Sequence, residues 1–507
     1  MNNISNILIV GGGTAGWMAA CLMAHRWQNK SLTITLIESA NIGTVGVGEG
    51  STPFLRDFFD QLGIAETTWM AACDATYKCG IEFPGWCSHT GPSSYFHPFY
   101  GEADTHCVGE FFASCQQRRE GFDTPTHPND YFVNSYLAEQ GKGPYKQAGL
   151  ASNIEYGYHF DAAKLGLFLA EHARSLGVIH LQDEVEKVNA SNEKIASIAT
   201  KSYGLLKADF YVDATGLKGL LIQQTLGEKL ISYQDYLPNN SAVAISTDYS
   251  TDETSDKRFQ DMKTQTLSEA LEHGWMWSIP LQTRCGNGYV YSDRFITKTD
   301  AEQRLRRRLG NNDKPALHLS WTPGRIEQHW KNNCLAVGLS QGFLEPLEAP
   351  MLNLIQQTCE SFVEHFESQD QSNAAKQFNQ TINSLIDGTR DYLQAHYLLN
   401  TRDDSEYWIK ARENQHISAV LSDIIFAWDN PGSFEQALIK NANHLAYAKT
   451  SWYCIFAGKG RFTDAHKHSL RLTEKKHKKA VDICQKTSQD FMYQTDLLNT
   501  VSTRRAL

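Results

Sequence analysis

The first forty residues alternate short apolar runs with one apolar stretch of helical period. Residues 4–10, ISNILIV, predict a β-strand, and residues 32–38, LTITLIE, predict a second one. Between them, WMAACLMAHRW (17–27) places its apolar residues at the spacing of a buried α-helix. The pattern therefore predicts a strand–helix–strand unit at the N-terminus.

The segment that joins the first strand to this helix is GGGTAG (11–16), a G-x-G-x-x-G sequence in the context that it requires. Gly11 permits the tight turn, Gly13 lets the backbone approach a pyrophosphate, and Gly16 lets helix and strand pack closely. Thr14 and Ala15 begin the helix, whose free N–H groups attract phosphates. These five residues are the first predicted cofactor contacts.

The second strand ends in an acid, Glu38, which lies 22 residues after Gly16. An acid at this distance bonds a ribose hydroxyl of a dinucleotide. A glycine-rich structural turn is the alternative interpretation, but it leaves the acid unexplained. The sequence predicts a bound dinucleotide.

Two later segments repeat the junction of a strand with a glycine. ADFYVDATG (208–216) predicts one strand, and NCLAVGLSQGFLEPLE (333–348) predicts another, followed by a glycine turn and a helix over 352–366. Three such junctions spread along the chain fit a two-dinucleotide-binding-type flavoprotein better than a compact NAD domain. The sequence has no second G-x-G-x-x-G for NAD(P)H, so the flavin would be reduced elsewhere.

The stretch GWMWSIP (274–280) carries two tryptophans at a period of two. In a strand this period places Trp275 and Trp277 on one face and Met276 on the other. Pro280 cannot donate to a ladder, so the strand is expected to end there. Packing in the core is the commoner fate of such tryptophans and is the alternative interpretation.

Composition narrows the class of protein. The chain has 507 residues, which predicts two to four domain-sized units, and its net charge of −10 argues against a nucleic-acid-binding surface. Eleven scattered cysteines without a CxxC pair indicate free thiols in the cytoplasm, with no metal site. No apolar run is long enough to span a membrane, and no signal peptide is recognisable.

Together with GWMWSIP, the segments GVGEGSTP (46–53), TYKCGIEFPGW (76–86) and EPLE (345–348) resemble motifs of the flavin-dependent tryptophan halogenases, the FAD-dependent halogenases of tryptophan and indole. The resemblance extends to WYCIFAGKGRF (452–462). It implies an α/β, Rossmann-like FAD-binding fold of the two-dinucleotide-binding type with an added, mostly helical C-terminal substrate module.

The implied domain organisation divides the chain into three parts. Residues 1–80 and 150–370 would form a discontinuous FAD-binding domain. Residues 81–149 would be inserted loops on the substrate side, and residues 371–507 would form the helical C-terminal module.

The resemblance also implies a reaction and its partners. Reduced FAD, supplied by a separate flavin reductase, O2 and a halide would give hypohalous acid, which travels through an internal tunnel to a small electron-rich arene. The protein would be a monomer or a homodimer and would need neither nucleic acid nor a membrane.

Lys78 and Glu348 match the catalytic residues of the family. Lys78 would position the halogenating species, whereas a snorkelling surface lysine is the plainer interpretation. Glu348 would orient the electrophile or take the proton released by substitution, and its apolar neighbours predict a raised pKa. A structural acid at a helix N-terminus is the alternative, a role that Glu345 could also fill.

The remaining family positions line the substrate and the flavin. His97 and Phe99 would sandwich the arene, while Trp275 and Trp277 would wall the tunnel. Flavin contacts implied by the resemblance and by the later glycine junctions are Val47, Gly48, Asp213, Gly338, Ser340 and Leu354.

Two departures from the family pattern concern the halide and the lid. Ala349, Pro350 and Met351 follow Glu348 where Ser-Thr-Gly is usual, and proline has no N–H for a halide. We therefore expect bromide to be favoured over chloride. Residues 433–451 lack the aromatic lid of enzymes that act on free tryptophan and predict a plain amphipathic helix, which favours a bare indole or a larger substrate.

Two other functions remain open at this point. A flavin-dependent aromatic monooxygenase would transfer oxygen directly and would not need a halide. A non-catalytic flavin-binding protein would need neither Lys78 nor Glu348.

Overall fold

The computed structural model describes residues 4–41, 43, 48–88, 92–146, 153–249, 262–430 and 432–504. The flavin contact predicted at Val47 lies outside these residues. No helix in the described parts of the chain is long and apolar enough to cross a membrane.

The strands are, in chain order, β1 Asn6–Val10, β2 Thr33–Glu38, β3 Glu49–Gly50, β4 Thr76–Lys78, β5 Gly80–Glu82, β6 Phe96–Pro98, β7 Lys142–Lys146, β8 Gly157–Phe160, β9 Ile179–Gln182, β10 Val185–Ser191, β11 Lys194–Thr200, β12 Gly204–Leu206, β13 Phe210–Asp213, β14 Leu230–Ser232, β15 Ser241–Asp248, β16 Gln265–Leu271, β17 Gly274–Pro280, β18 Arg284–Tyr291, β19 Leu317–Ser320, β20 Gly324–Ile326, β21 Trp330–Lys331, β22 Cys334–Ala336, β23 Gly342–Phe343 and β24 Phe491–Tyr493.

The α-helices are, in chain order, α1 Thr14–Arg26, α2 Phe54–Gln61, α3 Glu66–Ala72, α4 Thr105–Arg119, α5 Val133–Gln140, α6 Ala162–Ser175, α7 Lys298–Arg308, α8 Met351–Phe366, α9 Gln371–Leu398, α10 Glu406–Arg412, α11 Ala419–Asp429, α12 Phe434–Lys440, α13 Lys449–Gly458, α14 Arg471–Gln489 and α15 Gln494–Arg504.

A six-stranded sheet in the order β21-β22-β13-β1-β2-β9 carries the N-terminal unit. Its strands are parallel except for the edge strand β21. β1 is an unbroken apolar run because both faces of an inner parallel strand are covered. Helix α1 is buried along most of its length, against α6 and α8. The predicted strand–helix–strand unit and the Rossmann-like fold class are confirmed.

A seven-stranded sheet has the strand order β19-β15-β18-β17-β16-β5-β6, and the tryptophan strand β17 lies at its centre. Trp275 and Trp277 pack in the main core, whereas Met276 joins a separate cluster on the opposite face. Gly288 on β18 makes room for Trp277, because a Cβ there would lie 2.1 Å from its ring. The predicted strand ends at Pro280.

A small sheet of β3, β8 and β4 places the glycine-rich segment beside Lys78. β3 and β4 both pair with β8, so residues 49–50 and 76–78 lie on either side of one strand. A Cβ on Gly50 would lie 3.2 Å from Lys78 Nζ. The segment that the resemblance assigns to the flavin therefore contacts the residue that it assigns to the halogen.

The described part of the chain after residue 370 is mostly helical, as the sequence predicts. The single helix predicted over 433–451 is wrong, because α12 ends at Lys440 and is followed by a short 3-10 turn, Ala442–His444, and a loop. This loop lies against α9 at Gly388, where a Cβ would stand 2.2 Å from the carbonyl oxygen of His444. Residues 81–149, expected as loops, include α4 and α5.

Candidate active site

The glycine loop has the geometry of a phosphate cradle. Gly11 has φ +113° and no room for a side chain, since a Cβ would lie 2.2 Å from the carbonyl oxygen of Ala214. A Cβ on Gly16 would lie 2.0 Å from the carbonyl oxygen of Gly11, whereas one on Gly13 would meet no described heavy atom within 4 Å. Space is therefore left only over Gly13. No side chain caps α1, so its first N–H groups face that space.

Glu38 stands at the end of β2 beside this loop. Its carboxylate accepts a hydrogen bond from His180 Nε2 at 2.8 Å, and a Cβ on Gly12 would collide with it at 1.6 Å. Gly12 and His180 were not predicted as site residues, because neither is a fixed position of the G-x-G-x-x-G motif. They hold the acid at the edge of the open space, where these donors and acceptors fit a dinucleotide such as FAD.

The other two glycine junctions, which follow β13 and β22, both pack against the N-terminal glycine loop. The Asp213 carboxylate accepts hydrogen bonds from the N–H groups of Leu221 and Ile222, both at 2.8 Å, and from the hydroxyl of Thr215 at 2.6 Å. Its side chain therefore shapes the loop after β13. Its carbonyl oxygen accepts from the Ser340 hydroxyl at 2.5 Å, which ties this loop to the later junction.

Gly338 begins a 3-10 turn with φ +67°. A Cβ on Gly338 would lie 2.6 Å from the Cβ of Ala15, so this junction touches the start of α1. A cavity of about 450 Å³ opens beside the same loops and is lined in part by Leu217, Leu339 and Phe343. Leu354 lies one turn into α8 and is buried.

We expect Gly13→Ala to weaken FAD binding without unfolding the protein. A Cβ has free space in the protein itself, and φ −73° suits alanine, but it would occupy the path of the pyrophosphate. The FAD dissociation constant, measured by flavin fluorescence, should rise at least about tenfold, the cost of about one lost hydrogen bond to a charged group. Gly166→Ala in α6, also with open space around it, is the control and should bind FAD normally. Equal affinities of the two variants would contradict a pyrophosphate at Gly13.

Lys78 is fully buried at the end of β4, so it is not the snorkelling surface lysine considered as the alternative. Its Nζ donates to the carbonyl oxygen of Ser51 at 3.0 Å and lies 5.3 Å from the ring centroid of Phe99. Burial lowers the pKa of Lys78 to about 8, although the charge of Glu348 acts in the opposite direction. One donor is used by Ser51, which leaves the others for a ligand.

Glu348 sits in a strained turn directly before α8. Glu348 and Ala349 have φ values of +65° and +52°, which non-glycine residues seldom adopt, and Ala349 N–H bonds the carbonyl oxygen of Pro346. Two such residues in succession cost on the order of 1–3 kcal/mol each. In this backbone conformation the Glu348 side chain points into the protein and is 4% exposed.

Two histidines hold the Glu348 carboxylate. His97 Nδ1 donates to both oxygens at 3.0 and 3.1 Å, and His396 Nε2 donates to one of them at 3.0 Å. Burial alone would raise the pKa of Glu348, but the attraction of His97 and the bonds from both rings hold it well below its usual range. The raised pKa expected from the sequence is therefore wrong, and Glu348 is a carboxylate at neutral pH.

Glu345 behaves differently although it is three residues away. Its carboxylate accepts from Asn239 and from the Tyr397 hydroxyl, at 2.9 and 2.8 Å. Burial raises the pKa of Glu345 to about 7, against these bonds. This acid anchors the start of the turn to α9 and to the segment before β15, so its structural role differs from the helix N-terminal one considered for it.

Aromatic rings surround the Glu348 carboxylate. The rings of His97 and Tyr392 are 6.1 Å apart, and Tyr392 stacks on Tyr447 at 3.8 Å. Tyr447 comes from the loop that replaces the predicted helix. The charge of Glu348 also helps burial to raise the pKa of Tyr447, so this ring lies within its field. Neither Tyr392 nor Tyr447 carried a sequence motif.

Trp275 and Trp277 lie on one face of β17 and pack in the main core. Their ring centroids are 6.2 Å apart. Farther along β17, Ile279 packs against the glycine-rich segment, since a Cβ on Gly48 would lie 3.7 Å from it. The predicted role of Trp275 and Trp277 as tunnel walls stays a prediction.

The turn after Glu348 retains few backbone donors for a halide. Ala349 N–H is engaged, Pro350 has none, and α8 begins at Met351 without a side-chain cap. A void of about 10 Å³ borders Pro350, Met351, Leu354 and Gly342. This volume holds about one water-sized occupant.

Comparison with known proteins identifies the family to which the chain belongs. A family model described as tryptophan halogenase matches residues 6–475. The chain belongs to the tryptophan halogenase family. It is 36% identical over 453 residues to the tryptophan 6-halogenase SttH of Streptomyces toxytricini, covering 84% of each chain. It is 32% identical over 495 residues to the tryptophan 7-halogenase RebH of Lentzea aerocolonigenes, covering 91% of each.

A solved halogenase shares the whole fold. The structure of Tar14, described as the tryptophan C-6 flavin-dependent halogenase (chlorinase) of taromycin biosynthesis, superposes with a TM-score of 0.85 at 30% identity, covering 98% of this chain and 100% of Tar14. The protein is therefore a flavin-dependent enzyme that uses reduced FAD supplied by a separate flavin reductase. A non-catalytic flavin-binding function is excluded.

Proposed function

We propose that this enzyme halogenates an electron-rich arene of the indole type, with bromide favoured over chloride. The observation that carries the proposal is the pairing of a buried amine with an ionised, buried carboxylate. Lys78 and Glu348 lie close enough that the charge of Glu348 offsets part of the lowering of the Lys78 pKa by burial. Of the aromatic positions, His97 contacts the Glu348 carboxylate at 3.0 Å and the Phe99 ring centroid lies 5.3 Å from Lys78 Nζ.

The protonation states of Lys78 and Glu348 suit two different steps of the reaction. Reduced FAD, when bound, would activate O2, which supplies the oxidising power that converts a halide into hypohalous acid. The Lys78 amine, with donors to spare, holds the electrophilic halogen beside the arene. Glu348, kept ionised by two imidazoles, accepts the proton that leaves the substituted carbon. Trp275 and Trp277 keep the arene away from the flavin, so that only the small oxidant crosses.

The flavin would lie along the three glycine junctions. We assign its pyrophosphate to Gly11, Gly13, Thr14, Ala15 and Gly16 and its ribose to Glu38. The later junction, Gly338 and Ser340 with Leu354, would line the ribityl chain and ring. Asp213 would contribute through the loop that its carboxylate holds.

The halide proposal rests on the turn Ala349-Pro350-Met351. A halide beside Pro350 would have to use the N–H groups at the start of α8. With fewer donors to replace its water shell, the more weakly hydrated and more easily oxidised bromide is expected to bind and react better than chloride.

The substrate proposal rests on residues 433–451. This segment offers one phenylalanine and one tyrosine, and its Glu435 carboxylate pairs with Lys449 at 2.5 Å. A carboxylate engaged in this way is poorly placed to bind the amino group of free tryptophan. A bare indole, or a larger substrate that carries one, fits better. No disulfide joins the eleven cysteines within the described structure, which agrees with a cytoplasmic location.

One assay tests these proposals together. The enzyme is incubated with FAD, a generic flavin reductase, NADH and a panel containing indole, tryptophan and indole-bearing peptides, with bromide and chloride in competition. Brominated indole should dominate the products found by mass spectrometry. Equal chloride incorporation would refute the halide preference, exclusive use of tryptophan would refute the substrate proposal, and halide-independent hydroxylation would indicate a monooxygenase.

A further inference from the structure

A second buried lysine lies close to the Glu348 carboxylate. Lys459 follows α13 and is 1% exposed, yet its Nζ has no hydrogen-bond partner among the described residues. This nitrogen lies 4.0 Å from the ring centroid of Trp86, 5.5 Å from that of Tyr95 and 5.9 Å from that of Phe83, and burial lowers the pKa of Lys459 to about 7. The rings compensate part of the charge, but its donors are left unused.

The aromatic cage formed by Trp86, Tyr95 and Phe83 also borders the histidine that bonds Glu348. The His396 ring centroid lies 4.8 Å from Phe83 and 5.7 Å from Trp86. Because its Nε2 donates to Glu348, and because burial lowers the pKa of His396 to about 4, Nδ1 is a neutral acceptor. Nδ1 is buried and unpartnered within the described structure.

A third unsatisfied atom belongs to this cage. Tyr95 stacks on Phe83 with centroids 5.1 Å apart, and its hydroxyl is buried without a partner in the described chain. Three unsatisfied polar atoms belong to side chains that contact the Phe83 ring, and they would cost several kcal/mol if left dry, at about 1–3 kcal/mol each. Buried waters form about three hydrogen bonds to such atoms.

We propose that Lys459 is a positioning residue, which acts through an internal water shared with Tyr95 to hold His396 as the tautomer that donates to Glu348. With the water fixed by the N–H groups of Lys459, His396 Nδ1 accepts a hydrogen bond and its proton stays on Nε2. The imidazole then cannot turn away or present a lone pair to the carboxylate. Glu348 is kept ionised and correctly oriented for the proton that it receives. This inference rests on the role proposed for Glu348.

Other titratable groups face this cage from the surrounding elements, and the test must hold them constant. They are His97 on β6, Cys87 after β5, Tyr392 on α9, Tyr447 in the preceding loop and Cys454 on α13. Cys87 donates to the Lys459 carbonyl oxygen at 3.5 Å, a contact that a side-chain substitution retains.

The experiment is histidine-selective 15N NMR of the full chain with oxidised FAD, and the His396 signals are assigned with His396→Gln. In the wild-type protein, Nδ1 should have the shift of a hydrogen-bonded acceptor. Lys459→Met, an apolar side chain of similar length, should move it to that of an unbonded acceptor or mix the tautomers. Tyr95→Phe should move it in the same direction by less.

Kinetics supply a second readout. Lys459→Met should lower kcat about tenfold, as the loss of about one hydrogen bond predicts, with KM unchanged. Identical His396 shifts in the wild type and Lys459→Met would overturn the proposal. If Lys459→Met does not fold, unchanged shifts in Tyr95→Phe would overturn it instead. Should the wild type halogenate no arene, the proposed function fails, while the nitrogen shifts still decide the role of Lys459.

Discussion

Replacing Lys78 with methionine is expected to lower halogenation by at least about 100-fold, the usual cost of removing a preorganised charge from an active site. FAD should still bind, and reduced FAD should still be oxidised by O2, because the amine acts on the halogen after the flavin chemistry. Product formation is measured by mass spectrometry and flavin turnover by absorbance. Halogenated product at the wild-type rate would contradict the role of Lys78.

Lys142→Met is the matched control for this change. Lys142 is also a buried lysine, and its Nζ donates to the carbonyl oxygen of Ser488 at 2.8 Å, but it lies outside the proposed site. Its loss should lower Tm and leave halogenation intact. Lys78→Met should lower halogenation and change Tm less, because Lys142 donates to the carbonyl oxygens of Ser488 and Gln489, whereas Lys78 donates to that of Ser51 and is more deeply desolvated.

The pH profile then separates two roles for Lys78. Its pKa of about 8 means that the ammonium predominates below pH 8 and the free amine above it. If the ammonium holds hypohalous acid, kcat should fall as pH rises through about 8. If the neutral amine captures the halogen as a haloamine, kcat should rise over the same interval.

The parts of the fold that the sequence predicts are those encoded by short stretches. The strand, glycine loop and helix of residues 4–27 form as expected because turn geometry and apolar period are local properties. The same holds for β17, where a period of two and a terminal proline define a strand with two distinct faces. The glycine junction at Gly338 was predicted for the same reason.

The parts that the sequence does not predict depend on contacts between distant segments. Residues 433–451 have a helical pattern, but the chain leaves the helix after Lys440 because Gly388 on α9 lets the loop lie directly on it. This contact outweighs helix propensity and brings Tyr447 onto Tyr392. An amphipathic pattern cannot reveal a partner 50 residues earlier.

The electrostatics of the site show the same limit. The apolar neighbours of Glu348 in the sequence predict a raised pKa. His97 arrives from β6 and His396 from α9, and their bonds reverse the sign. No pattern near His396 in the sequence indicates which carboxylate it would bond. Local sequence predicts burial well, whereas pKa values depend on partners that only the fold assembles.

Glu348→Gln is expected to reduce kcat by about 100-fold or more, the usual contribution of a positioned general base, with little change in KM. Glutamine keeps the volume and can still bond one histidine, but it cannot accept the proton from the substituted carbon. Steady-state halogenation measures the effect. Glu345→Gln is the control, since Glu345 is equally buried and its pKa of about 7 leaves it partly protonated at neutral pH, so kcat should stay within a few-fold of wild type.

The same substitution should also change how stability depends on pH. The pKa values of Glu348 and His396 are both lower in the folded than in the unfolded state, so the unfolded chain binds more protons as the solution is acidified. Their stabilisation is complete above about pH 6.5, the unfolded pKa of histidine, and is lost as pH falls toward 4 and below. Wild-type Tm should therefore drop between pH 6.5 and 4.

Glu348→Gln should be less stable at pH 7, because two imidazoles lose their carboxylate, and the difference from wild type should shrink below pH 4. A difference that stays constant with pH would show that Glu348 is not ionised in the folded protein, and the proton-acceptor role would fail with it.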